Sequence, residues 1–208
     1  MQIIFIKLFG YHIFSFRLLS LFFSLGTLYF FYSLCKGIFQ SDGVALFSTI
    51  LLSLDIQYIY ASHFARQEII ILFVMIFSAY ILLNRWQHHN YYKDIIIGIT
   101  IGLSIGIHPN SFIAALSIGS IYLLLVFKKK LKLKNLLLLG LIVSIFALIF
   151  IGISLYMDGN FFVNYSKSGE QFGVHKSIVG KLLKGKDFYR NIYLGKSVTY
   201  YLPNIRFQ

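Results

Sequence analysis

The chain reads as an all-α, polytopic membrane protein with about six transmembrane helices, and three observations carry that reading. Of its 208 residues, 58% are hydrophobic and only 12% are charged, with a mean hydropathy of +0.75. A soluble domain of this size would show more charge. Apolar runs approaching the ~20 residues that a ~30 Å bilayer core requires recur between short polar islands. Period-2 alternation is missing, and only helices or closed barrels can span a bilayer.

The first stretch, Met1–Phe14, carries Lys7 and His12 among aromatic and aliphatic side chains. It is too short to span and predicts an interfacial helix leading into the first crossing. It lacks the basic start and small-residue cleavage site of a signal peptide. Crossings are predicted at Phe16–Phe39, Val44–Ala61 and Glu68–Leu83. Ile95–Ile107 and Ser111–Phe127 form a pair joined at His108-Pro109-Asn110. As one straight helix the pair would reach ~50 Å, and Pro109 would interrupt it. Two short helices meeting at a bend fit better, with the bend inside a protein-lined cavity. The repeat GITIGLSIG places Gly98, Gly102 and Gly106 four residues apart, a signal for close helix packing. Leu136–Tyr156 is the last crossing. The chain therefore divides into a membrane region, 1–156, and a polar external segment, 157–208. Within the latter, SIVGKLLKGKDFYRNIYLGK suits either a surface lying on anionic headgroups or a solvated external loop.

Lysine and arginine in short connections set orientation. Alternate connections carry Lys36, then Arg85 and Lys93, then the run Lys128–Lys134, against Arg66 alone in the other set. The first set is expected to be cytoplasmic. Arg17, Arg66, Glu68, His108 and the tail then face outside, although the tail itself carries eight basic residues. The basic balance, +12 overall, sits beside the crossings, and no nucleic-acid motif accompanies it.

The stretch SHFARQE, Ser62–Glu68, puts an arginine and a carboxylate at the mouth of a run that carries no charge through Asn84. Arg66 and Glu68 do not share a helix face, and each would cost ~2.5–3.5 kcal/mol at mid-membrane. They belong at the outer boundary, as an interfacial anchor or as the rim of a wet cavity. Asp55 lies within a predicted crossing and fits either cavity lining or a structural hydrogen bond. His108 precedes the proline of the bend, as a structural residue or a ligand. There is no HExxH, no paired histidine and no Asp-x-Asp, so no metal site can be argued from these residues. The one cysteine, Cys35, excludes an internal disulfide.

These stretches, taken in order, resemble a known family. Gly10–Leu18 (GYHIFSFRL), Ser62–Glu68 (SHFARQE) and the glycine-rich hairpin Gly102–Pro109 are similar to motifs of the GT-C glycosyltransferases of the protein O-mannosyltransferase and aminoarabinose-transferase kind. The resemblance covers roughly the first 130 residues. It implies transfer of a sugar, a hexose such as mannose, from a dolichyl- or polyprenyl-phosphate carrier to an acceptor protein or glycolipid at the extracytoplasmic face of the cell membrane. It implies membrane lipids but no nucleic acid as partners, and leaves a divalent metal open. By position, Glu68 would be the catalytic-site carboxylate near the acceptor, and Arg66, Arg17 and His108, with Asp55 on the cavity wall, would bind the donor. Arginine suits a phosphate because its fork matches the phosphate oxygens. The family's principal acid precedes its interfacial helix, whereas no acidic residue here precedes Asp42. The chain is therefore expected to be an internal piece of a longer enzyme, inactive alone. A transporter with a broken span at His108-Pro109, or a non-catalytic assembly subunit, are the alternative readings.

Overall fold

The computed structural model describes residues 7–63, 67–84, 89–108 and 110–164. All regular structure in these residues is helical: α1 (Ile13–Phe39), α2 (Asp42–Leu54), α3 (Ile56–His63), α4 (Glu68–Leu83), α5 (Tyr91–Ile105), α6 (Ser111–Phe127) and α7 (Leu133–Met157). The chain divides into two compact units, Met1–Ile151 and Gly152–Gln208. In the second, Asp158 accepts hydrogen bonds from the Asn160 amide at 2.9 Å and the Asn164 side chain at 2.8 Å. Residues 1–6 of the expected interfacial helix and residues 165–208 of the expected external segment lie outside the described residues; of the rest of the former, residues 7–9 are helical and Gly10, with φ 82°, breaks the helix before α1.

Two helices are long and apolar enough to cross a membrane: Arg17–Phe39 within α1, and α7. The α2–α3 pair makes a third crossing if taken together, but it bends by 66°. The helices α4 and α6 are apolar and shorter. The expected straight crossing over Val44–Ala61 is thus replaced by a broken one, and the cause is Asp55. Its backbone is extended (ψ 130°) where α2 ends, and its carboxylate accepts from the Tyr58 amide at 2.9 Å. An aspartate offered at the start of a helix satisfies an amide that has no helical partner, so it terminates one helix and begins the next. Tyr58 then reaches across to donate to the Ser24 carbonyl at 2.6 Å, fixing the bend against α1.

The central helix is α4, which buries Ile69, Ile70, Val74, Ser78, Ala79 and Leu82. Against α1 it builds a ladder of rings: Phe23–Phe73 at 5.1 Å, Phe30–Phe77 at 4.9 Å and Phe30–Tyr80 at 5.2 Å. Numbers rise together on both helices, so the two run parallel. On its buried side α1 carries Ser15, Ser20, Ser24 and Thr27. The hydroxyls of Ser24 and Thr27 donate to carbonyls of their own helix. Small side chains with locally satisfied hydroxyls allow close approach without stranding a polar group. Gly26 completes this face, since a Cβ there would lie 2.8 Å from the Phe73 ring.

Glycine spacing does what the sequence predicts. Gly98, Gly102 and Gly106 face Ile142, Phe146 and Phe150 of α7, and a Cβ at these positions would fall within 2.9, 2.6 and 2.1 Å of those side chains. Both rows step by four residues, about 6 Å of helix rise, so a ridge of α7 fills a groove of α5. Otherwise α7 buries only Leu139 and exposes Leu137, Leu141, Leu148 and Ile149, as a lipid-facing helix must.

A polar cluster closes the end of the bundle where α5 and α7 begin. Asp94 is fully buried. It accepts from Tyr122 of α6 at 2.6 Å, from Asn135 of α7 at 2.6 Å and from His89 Nε2 at 2.7 Å. One carboxylate thereby joins three helices. Beside it, the Lys93 ammonium donates to the Asn84 carbonyl at 3.2 Å. The turn between α1 and α2 is held by a Lys36–Asp42 pair at 2.7 Å, which Tyr32 also joins; exposed and screened by solvent, such a pair adds little to stability.

Two stability predictions follow from this packing, both read as thermal unfolding in one detergent. Gly102→Ala destabilises by about 1–3 kcal/mol through overpacking. Gly119→Ala, in a helix with nothing within 4 Å of the added carbon, is neutral or gains up to ~1 kcal/mol from helix propensity. Asp94→Ala destabilises by about 3 kcal/mol or more because buried donors lose their acceptor, and Tyr122→Phe by ~1–2 kcal/mol. Equal midpoints for Gly102→Ala and Gly119→Ala would remove the packing argument, and an unchanged midpoint for Asp94→Ala would remove the hub.

Candidate functional site

The opposite end of the bundle carries the residues singled out from the sequence. Leu19, Tyr58, Ile69 and Ile70 form a buried cluster there, with Phe23, Ala61 and Ile107 packed onto it. These are the near neighbours of Arg17, His63, Glu68 and His108. Four chain segments are therefore gathered at one end: the start of α1, the end of α3, the start of α4 and the α5–α6 turn. The sequence placed Arg17, Glu68 and His108 on one side of the membrane, and the packing puts their segments at a single end. Arg66 and Pro109 lie outside the described residues.

Each described side chain has a local reason for its place. Glu68 is exposed in the first turn of α4, where the helix dipole favours a carboxylate. Arg17 is exposed one turn into α1. The bend before α6 is tied by buried Ser111, whose hydroxyl donates to the Ser104 carbonyl at 2.7 Å. The amides of Ile107 and His108 also donate to that carbonyl. The Asn110 amide donates to His108 Nδ1 at 3.0 Å. With Nδ1 accepting, the ring's proton sits on Nε2, so His108 offers an N–H donor. His63 has the reverse arrangement. Its Nδ1 lies 2.9 Å from the Ile59 carbonyl and must donate to it, which leaves Nε2 as the acceptor nitrogen. This end thus presents a carboxylate, a guanidinium, an imidazole donor and an imidazole acceptor.

Asp55 stands apart from that set. Its Oδ1 is engaged in capping α3, which is the structural hydrogen bond of the two roles open to it. Sequence reasoning passed over the Asp94 cluster altogether, yet a signal was present. Asp94 is in register with Ile97, Ile101 and Ile105, the buried stripe of α5, so a carboxylate on an apolar face demanded partners. His63 lies inside the SHFARQE stretch, but no spacing or motif in the sequence sets it apart. Among the described residues no group of three His, Cys, Asp or Glu side chains is placed to hold a metal ion.

The comparisons with known proteins bear on the region that builds both ends. Residues 1–154 match the family described as dolichyl-phosphate-mannose-protein mannosyltransferase. No curated protein and no solved structure matches the chain significantly. The matched stretch takes in the Arg17, Glu68 and His108 segments, the Asp94 hub and nearly all of α7. The chain belongs to the dolichyl-phosphate-mannose-protein mannosyltransferase family, and with it to the membrane glycosyltransferases of the mannosyltransferase type.

Proposed function

We propose that this chain supplies part of the active site of a glycosyltransferase that moves a hexose such as mannose from a polyprenyl-phosphate carrier to an acceptor at the extracytoplasmic face. The observation that supports it is the gathering of the Arg17, Glu68 and His108 segments at one end, within a chain of this family. In the reaction the acceptor hydroxyl loses its proton and its oxygen bonds to the anomeric carbon. The bond from that carbon to the phosphate oxygen breaks, and the carrier leaves as polyprenyl phosphate. The developing phosphate charge needs donors that are already in position. Arg17 and Arg66 suit this by charge and geometry, and His108 by its Nε2–H. Glu68 organises the acceptor side, and Asp55 shapes the wall by ending α2 beneath it.

The membrane arrangement belongs to the same proposal. Lys36, Lys93 and the lysines of 128–134 flank the end that carries Asp94, and that end is taken as cytoplasmic. The shorter α4 is sheltered by α1, α5 and α6, so its ends need not reach the headgroups. With α4, α5 and α6 counted as crossings beside α1, the α2–α3 pair and α7, there are six. The protein acceptor and the dolichyl-type donor follow the family's description.

In the full-length enzyme that contains this chain, in membranes supplied with a polyprenyl-phosphate sugar, Glu68→Gln and Arg66→Ala are each expected to lower transfer about 100-fold, with protein level unchanged. Transfer at the unaltered rate in both would refute the assigned roles. Sidedness has its own test. Asn110 is exposed and the native Cys35 is buried, so Asn110→Cys supplies the accessible thiol. It is expected to react with a membrane-impermeant maleimide added from outside intact cells; labelling only after the cytoplasmic face is opened would reverse the orientation.

A further inference from the structure

A second site lies at the Asp94 end, away from Glu68 and His108. A cavity of about 340 Å³ is lined there by His89, Asn90, Lys130, Lys132, Lys134 and Asn135, among others, and among the described residues no carboxylate lines it. Two helices begin at its wall: Asn90 is the N-cap of α5, and Lys132 and Lys134 flank the first residue of α7. Helix N-termini carry partial positive charge and amides without helical partners, which suit an anion. Among the described residues neither Lys132 nor Lys134 forms an ion pair.

The imidazole gives this cavity a further polar group. The His89 side chain is 6% exposed. Its Nε2 donates to Asp94, while Nδ1 is buried and has no hydrogen-bond partner among the described residues. With Nε2 donating, Nδ1 of the neutral ring is an acceptor, and a buried acceptor left unpaired is unfavourable unless a donor such as the P–OH of a singly protonated phosphate meets it. Asp94 does not line the cavity; it holds His89 and Asn135 in their wall positions. The cavity therefore combines a polar wall with the side chains of Lys132 and Lys134, and Lys130 beside them, at the turn between α6 and α7.

We propose that this cavity binds a phosphate monoester group, either the headgroup of an anionic phospholipid in the adjoining leaflet or a soluble phosphate. Lysine is a strong point-charge partner for phosphate, and a lysine-rich turn at a membrane surface meets anionic lipid first. The site is independent of the glycosyl-transfer reading, because it is built from a different end of the bundle.

The test uses the full chain in detergent, with native mass spectrometry to count bound lipid. Dioctanoyl phosphatidic acid is expected to bind saturably at one copy per chain, and dioctanoyl phosphatidylcholine much more weakly. Lys132→Gln combined with Lys134→Gln is expected to weaken phosphatidic acid binding at least ~10-fold. Lys128→Gln combined with Lys129→Gln removes the same charge from residues outside the cavity wall, and is expected to change it by no more than ~2-fold. Inorganic phosphate separates the sources: displacement of the lipid at millimolar phosphate identifies a soluble-phosphate site, and no displacement identifies a headgroup site. Equal losses in the two double variants, equal binding of both lipids, or no saturable binding of either phosphatidic acid or phosphate overturns the proposal.

Discussion

A fully buried carboxylate sets the terms for the helices that follow α4. Asp94 is bound by donors from α6, from α7 and from His89, two residues before α5. In a low-dielectric interior such a charge is tolerable only when hydrogen bonds replace its water, and each donor is correspondingly intolerant of losing it. The arrangement fixes where α7 starts. From Asn135 the helix then runs alongside α5, and the glycine groove fixes how close it lies. One polar knot and one apolar groove thus define the placement of α7, whose remaining surface needs no protein partner in a bilayer.

The other half of the bundle is held by different means. Between α1 and α4 the contact alternates aromatic rings with small residues, and hydroxyls on α1 turn back to their own backbone. No charge is buried among these residues, so α1 and α4 pack as lipid-soluble helices do, by shape. This leaves the charged groups Arg17 and Glu68 to collect at the end, where the bend at Asp55 and the turn at His108 add backbone that departs from the helix. Irregular backbone at membrane depth needs protein or water around it. Beside it lies the Leu19–Ile70 cluster, which supplies that protein.

The two ends have unlike chemistry. Glu68, His63 and His108 give the first end both acceptors and donors, which proton movement and phosphate departure require. The Asp94 end has its carboxylate withdrawn behind hydrogen bonds and its lysines outward, which suits holding an anion without reacting with it. The two ends are set apart along the helix axis, with Ile97, Ile101 and Ile118 of the main core between them.

Much of this was legible from residue order alone. Apolar run lengths determined the helices, because covering backbone in hydrocarbon leaves few options. The Gly98-Gly102-Gly106 spacing determined a packing face, and the position of charges relative to apolar runs grouped Arg17, Glu68 and His108, whose segments meet at one end of the bundle. Family motifs over Gly10–Leu18 and Ser62–Glu68 pointed to the right kind of enzyme. Tertiary structure decided the rest. Whether Asp55 continues a helix or splits it depends on Tyr58 finding Ser24, 34 residues earlier, and no local propensity carries that information. Asp94 finds Tyr122 and Asn135, 28 and 41 residues further on. The partner that meets Gly102 is likewise set by the register of α7. Local sequence specifies what each helix can bury; only the packed bundle specifies which distant donor, ring or groove receives it.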